Sequence, residues 1–232
     1  MRAGSLLIVA TLGVAGAASA QTIAPEDIRL EVGSGANMSF LVIDWNNGAA
    51  VESVAYAYRY DGVRTGQDML FDVLAADPTL SGIVQLFDFG LPAPSPAVLG
   101  FGLDVDGDGL PLADGTTFDP SGLLTVGLGE SRSATTSLDA DDNFIEDFSF
   151  PGFWGFFVAD SDPFFPGAGW GFAPVGFDQR LLSDGSYDGY SFQATFDTVQ
   201  PGLPPTGVFV PSPAVGAAFG VSGLLAARRR RD

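Results

Sequence analysis

Residues 37–60 read NMSFLVIDWNNGAAVESVAYAYRY, and this stretch decides the fold. Asn37 to Trp45 and Val51 to Tyr60 are dense in β-branched and aromatic residues, which suit a pleated, half-buried surface. Period-two alternation puts Tyr56, Tyr58 and Tyr60 on one face of the second run. Asn46-Asn47-Gly48 supplies turn chemistry between them, so the pair predicts a hairpin. Beyond Asp61-Gly62 the period changes. Thr65 can cap a helix with Asp68 three residues on. Met69, Leu70, Val73 and Leu74 follow at helical spacing and Pro78 stops the run, which predicts one short helix near 65–76. Further strands are predicted at Gly82 to Phe89, Val98 to Leu103, Leu123 to Leu128, Phe153 to Val158 and Tyr187 to Phe196. Asp184-Gly185 within Leu181 to Tyr187 reads as a tight hairpin. Pro92, Pro94 and Pro96 stiffen the chain and mark a candidate sub-boundary near 91–97. The expected fold is mainly β, antiparallel and sandwich-like, with α+β as the alternative.

Composition narrows the function. The 232 residues include no Cys, His or Lys. Disulfides are therefore excluded, and stability must come from the core or a bound metal. The commonest general base, the thiol nucleophile and the usual zinc ligands are missing, which disfavours most catalytic constellations. Net charge is −18, and residues 21–210 alone carry −22, because Arg2 and Arg228–Arg231 lie outside them. Such a surface repels nucleic acid, stays soluble and attracts cations.

The two ends read as addresses. Arg2, the apolar run Leu6 to Ala17 and the small-x-small site Ala18-Ser19-Ala20 have the order of a secretory signal over 1–20, which places the mature start at Gln21. Residues 21–205 form the β-rich acidic domain and 206–232 a tail. In the tail, Pro211-Ser212-Pro213 precedes an uncharged apolar segment, and Arg228, Arg229, Arg230 and Arg231 follow it. The uncharged stretch is about long enough to span a bilayer as a C-terminal apolar helix, with the arginines holding its end in the cytoplasm. This tail resembles the PEP-CTERM sorting signal, with Ser212 where that signature has Glu. The resemblance is confined to the tail. It implies a substrate of an exosortase, a membrane transpeptidase of bacteria that make extracellular polymer. It also implies export machinery and that processing enzyme as partners, with at least transient membrane anchoring.

Two motifs in the middle can hold ligands. Asp104-Val105-Asp106-Gly107-Asp108-Gly109 matches the first half of a calcium loop, with carboxylates at positions one, three and five and glycine at six. Gly115 stands where the loop's last ligand would be. Leu110 can offer its carbonyl, and Asp114 is the candidate to reach in. A calcium-stapled turn following a strand is the metal reading. A second acidic cluster runs from Asp139 through Asp141, Asp142 and Asn143 to Glu146 and Asp147. Between Phe144 and Phe177 lie ten Phe and two Trp, foremost core material. The leading functional reading is an exported, non-enzymatic cell-surface or extracellular-matrix protein, calcium-stabilised. The alternative is a carbohydrate- or small-ligand-binding module using Tyr56, Tyr58, Trp154 and Trp170, with extracellular polysaccharide as a partner. A lesser alternative is a carboxylate-dependent hydrolase.

Overall fold

The β-branched and aromatic runs pair into two sheets. The computed structural model describes residues 23–88, 90, 93–148, 152–193 and 199–202. In chain order the elements are β1 (Ile28–Gly33), β2 (Asn37–Asp44), β3 (Ser53–Tyr60), α1 (Gly66–Ala76), β4 (Leu80–Phe87), β5 (Ser95–Leu103), β6 (Leu123–Val126), β7 (Asn143–Glu146), β8 (Phe153–Ala159), β9 (Gly171–Phe172) and β10 (Tyr187–Gln193). One sheet has the order β1-β3-β2-β10-β8-β9 and the other β6-β4-β5-β7. Among the described residues the fold is mainly β with one short α-helix. The expected leader at 1–20 and the tail with its Pro211-Ser212-Pro213 and arginine block lie outside the described residues. Among the described residues no helix is long and apolar enough to cross a membrane.

The expectation of antiparallel sheets needs correction, because both sheets are mixed. β2 and β3 form the predicted antiparallel hairpin. β1, however, pairs with β3 in parallel, β10 pairs with β2 in parallel, and β4 with β6 in parallel. The cause is geometric for β1. A short turn reverses the chain between β1 and β2, and the hairpin reverses it again, so β1 runs the same way as β3 when it takes that strand's free edge. Leu181 to Tyr187 does not form a hairpin either. Gly185 N–H donates to the Met38 carbonyl at 2.7 Å and Met38 N–H donates to Asp184 Oδ1 at 2.9 Å. The turn thus docks on the start of β2 and delivers β10 alongside it. The sub-boundary expected near 91–97 overlaps the start of β5, which pairs antiparallel with β4 in one sheet.

The core lies between the sheets. Leu41, Ile43, Val54, Tyr56 and Tyr58 of the first sheet share one buried cluster with Leu80, Val84, Phe101 and Leu103 of the second. Trp45 Nε1–H donates to the Phe101 carbonyl at 3.0 Å, which ties the sheets by a buried hydrogen bond. Trp154 meets the Phe101 ring edge-on at 5.0 Å. β3 is buried on both faces, which explains its unbroken VAYAY run: Val42, Ala55, Phe157 and Tyr187 lie beneath Trp170 on the outer side. α1 buries Met69, Leu70, Val73 and Leu74 and touches strands of both sheets. Its start follows the sequence: Asp68 N–H donates to Thr65 Oγ1 at 3.1 Å, and Thr65 N–H to Asp68 Oδ2 at 2.8 Å. Thr65→Ala removes this cap and is expected to cost about 1 kcal/mol in urea unfolding.

Two polar assemblies fix the periphery. Behind α1, Arg29 Nε–H donates to Asp77 Oδ2 at 2.8 Å and its terminal nitrogen to Thr79 Oγ1 at 2.7 Å, while Tyr56 O–H donates to the same Asp77 oxygen at 2.9 Å. At the end of β10, the Gln193 side-chain amide exchanges two hydrogen bonds of 2.6 Å with the Val199 backbone. Gly202 N–H donates to Asp44 Oδ2, also at 2.6 Å.

Candidate metal centre

The acidic loop begins where β5 ends. Leu103 pairs with Leu80 on one side and Asn143 on the other, and Asp104 N–H donates to the Thr79 carbonyl at 2.9 Å. Asp104 is therefore fixed by the sheet and is itself buried. Its two carboxylate oxygens accept from Gly107 N–H at 2.7 Å and Gly109 N–H at 2.9 Å. That curl needs φ of +85° at Gly107 and +116° at Gly109, backbone conformations that favour glycine. The glycine spacing of the motif is what lets the chain fold around its first carboxylate. Asp106 and Asp108 are exposed, yet one oxygen from each and one from Asp104 all lie within 4.8 Å of one another.

Like charges at this spacing repel. The Asp106 charge, with smaller contributions from slight burial and from Asp139 and Asp104, pushes the Asp108 carboxyl above the usual range. Asp139 belongs to the second acidic cluster, which the fold brings to the same place. Asp142 Oδ1 accepts from Val105 N–H at 3.3 Å, and burial followed by the charges of Asp104 and Asp139 raises the Asp142 carboxyl, against the Val105 bond. The two loops are held together by Leu138 N–H to the Pro111 carbonyl at 2.8 Å and Ala113 N–H to the Thr136 carbonyl at 3.0 Å. Residue spacing alone does not reveal this convergence. The signal lies in the pairing of β5 with β7: the end of one strand opposes the start of the other, so residues after Leu103 meet residues before Asn143.

Of the other expected ligands, Asp114 is engaged elsewhere. Asp114 pairs with Arg132 at 3.2 Å and accepts from Thr116 N–H at 3.0 Å. Hydrogen bonds from Thr116, with Arg132 adding its charge, hold the Asp114 carboxyl below the usual range. The Leu110 side chain packs on β5, where a Cβ at Gly102 would fall 2.3 Å from Leu110 Cδ2 and 2.8 Å from Phe144. Glu146 sits at the far end of β7 and is locked in a fork by Arg132. What converges is a set of hard carboxylate oxygens from Asp104, Asp106 and Asp108, with Asp139 and Asp142 behind them. Such donors suit calcium and not a soft or nitrogen-seeking metal.

The four aromatic candidates are core residues, each no more than 8 % exposed. Tyr56 donates to Asp77, and Tyr58 O–H donates to Asp72 Oδ2 at 2.6 Å. Trp154 Nε1–H donates to the Ile145 carbonyl at 3.3 Å and Trp170 Nε1–H to the Pro201 carbonyl at 3.2 Å. None offers a ring face on which a ligand can stack. In a chain without disulfides these rings supply the apolar area that holds the sheets together. Comparison of the chain with protein-family models, curated proteins and solved structures returns no match.

Proposed function

We propose that this chain is an exported, non-enzymatic protein of the bacterial cell surface or extracellular matrix, sorted or anchored through its C-terminal tail and stabilised by calcium. The sorting half of this reading rests on the order Pro-Ser-Pro, apolar segment and Arg228–Arg231 block behind a secretory-type leader. The export machinery and an exosortase-like enzyme are the partners this order calls for, and the charge of −22 over residues 21–210 disfavours nucleic acid. Its test is cell fractionation of the full chain in a host with such an enzyme. The intact tail should deliver the protein to the envelope or the medium in a processed form. Replacing Arg228–Arg231 by Ala, or Pro211 and Pro213 by Ala, should change its membrane retention or its processing. Identical fractionation of all three forms would sink the sorting half.

The calcium half is supported by the convergence of Asp104, Asp106 and Asp108. A cation bound only by the folded state adds stability as its concentration rises, about 1.4 kcal/mol when free calcium is about ten times its Kd. The full chain is expected to melt at a higher temperature in millimolar calcium than in chelator or magnesium. The triple variant Asp104→Asn, Asp106→Asn, Asp108→Asn is expected to lose that difference. Equal melting in all three conditions would reduce the loop to an acidic turn.

A further inference from the structure

We propose that the pocket between the end of β4, the end of β7 and the segment 131–134 is a binding site for a neutral saccharide, with Phe87 and Phe148 as its apolar wall. The pocket is a half-open cleft of about 510 Å³, within the range of small-molecule sites. Leu99, buried in the second sheet, is part of its lining. The Phe87 and Phe148 rings lie 5.0 Å apart and tilted by 33°. Phe148 is 52 % exposed, an apolar ring kept at the surface at the mouth of a cavity. Ser131 and Ser133, both exposed, line the same pocket and carry hydroxyls. Gln85 contributes an amide whose plane is fixed by donation to the Glu130 carbonyl at 2.8 Å.

The charged residues of the lining, Arg132, Glu146 and Asp147, decide what the pocket can take. Arg132 Nε–H donates to Glu146 Oε1 at 2.5 Å, and its terminal nitrogen reaches Thr116 Oγ1 at 2.7 Å and Asp114 Oδ2 at 3.2 Å. Two carboxylates thus meet the one guanidinium, so an anionic ligand finds no spare positive charge in a strongly acidic protein. The second Glu146 oxygen accepts from Arg132 and from Thr135 N–H, so that carboxylate is already satisfied by fixed donors. A purely apolar ligand would strip water from the hydroxyls and amide without replacing its hydrogen bonds. A pyranose meets all three conditions: a C–H face for the rings, hydroxyls for Ser131, Ser133 and Gln85, and no charge. The site lies at the Glu146 end of β7, opposite the end that carries the acidic loop, and does not depend on calcium.

The experiment uses the full chain in a detergent without a sugar headgroup. Cellotriose, maltotriose, laminaritriose and triacetylchitotriose are titrated by calorimetry beside trigalacturonate and the apolar dye ANS. At least one neutral trisaccharide is expected to bind, weakened about tenfold by Phe148→Ala and abolished by Ser133→Trp, which fills the pocket. Both positions are exposed, so the melting temperature should not move. Ser131→Trp replaces Ser133→Trp if that variant melts early. Binding of trigalacturonate or ANS alone, no binding by any of these probes, or neutral-sugar binding unchanged by the substitutions would each overturn the proposal.

Discussion

Arg29→Met is expected to destabilise the protein by about 3–5 kcal/mol in denaturant unfolding at neutral pH. Arg29 is 4 % exposed, and its guanidinium faces Asp77 behind the C-terminal end of α1. Burial alone would push the Asp77 carboxyl up. Hydrogen bonds from Thr79 and the charge and hydrogen bond of Arg29 outweigh that and hold it below the usual range. Removing Arg29 leaves a buried carboxylate with neutral donors only, Tyr56 and Thr79. The cost is that of a stranded charge, more than that of a lost contact. Adding Asp77→Asn to Arg29→Met removes the stranded charge and should recover a large part of the loss. A double variant no more stable than Arg29→Met would show that packing of the arginine stem, and not its charge, is what matters.

Stability is also expected to rise as the pH falls from neutral toward about 5, the reverse of ordinary acid sensitivity. Asp188 on β10 is 1 % exposed and lies against the start of α1, where a Cβ at Gly66 would sit 2.6 Å from its Oδ2. Oδ1 accepts from Arg180 Nε–H at 3.2 Å, while Oδ2 finds no hydrogen-bond donor among the described residues. Burial, opposed by Arg180 and reinforced by the charge of Asp160, lifts this carboxyl from 3.8 to about 6. The folded state therefore holds the proton more tightly than the unfolded chain. The penalty for ionising it is absent below the unfolded value, builds as the pH rises through about 6, and reaches on the order of 3 kcal/mol at neutral pH. Asp44 and Glu146, raised chiefly by burial, act in the same direction. Asp77 acts oppositely, since its contribution is lost as the pH falls through its lowered value. Asp188→Asn should stabilise the protein at pH 7 and flatten the slope between about pH 4 and 7. A wild-type stability that holds constant or climbs from about pH 5 to 7 would sink this expectation.

What the sequence makes legible is what the chain decides locally. The helix is one case, because Thr65, Asp68 and the Met69-Leu70, Val73-Leu74 spacing act within a few residues. The β2–β3 hairpin is another. β1 was not apparent, since IRLEVG carries two charges and a glycine, and its strand character comes from the β3 edge it joins. β7 hides for a similar reason: NFIE looks like part of an acidic loop until β5 pairs with it. The same non-local pairing governs the acidic cluster of the candidate site. Asp104, Asp106 and Asp108 could be named from their spacing with Gly107 and Gly109, whereas Asp139 and Asp142 join them only through the sheet. The aromatic candidates show the converse. Residue type marks Tyr56, Tyr58, Trp154 and Trp170 as capable of stacking on a ligand, but burial is a property of the assembled sheets, and it commits them to the core.

The position of β10 sets a schedule for the protein's synthesis. It is the last strand among the described residues, yet it fills the middle of its sheet, between β2 and β8. As the polypeptide emerges N-terminus first from a ribosome or a translocation channel, β2 exposes an unpaired edge until nearly the whole domain has followed it. Contacts that close so late in sequence make folding slow. Until they close, the open edge is a template for pairing with a neighbouring chain. A product terminated before Tyr187 would carry that edge permanently. Its fate would be degradation or aggregation, not a shortened working domain.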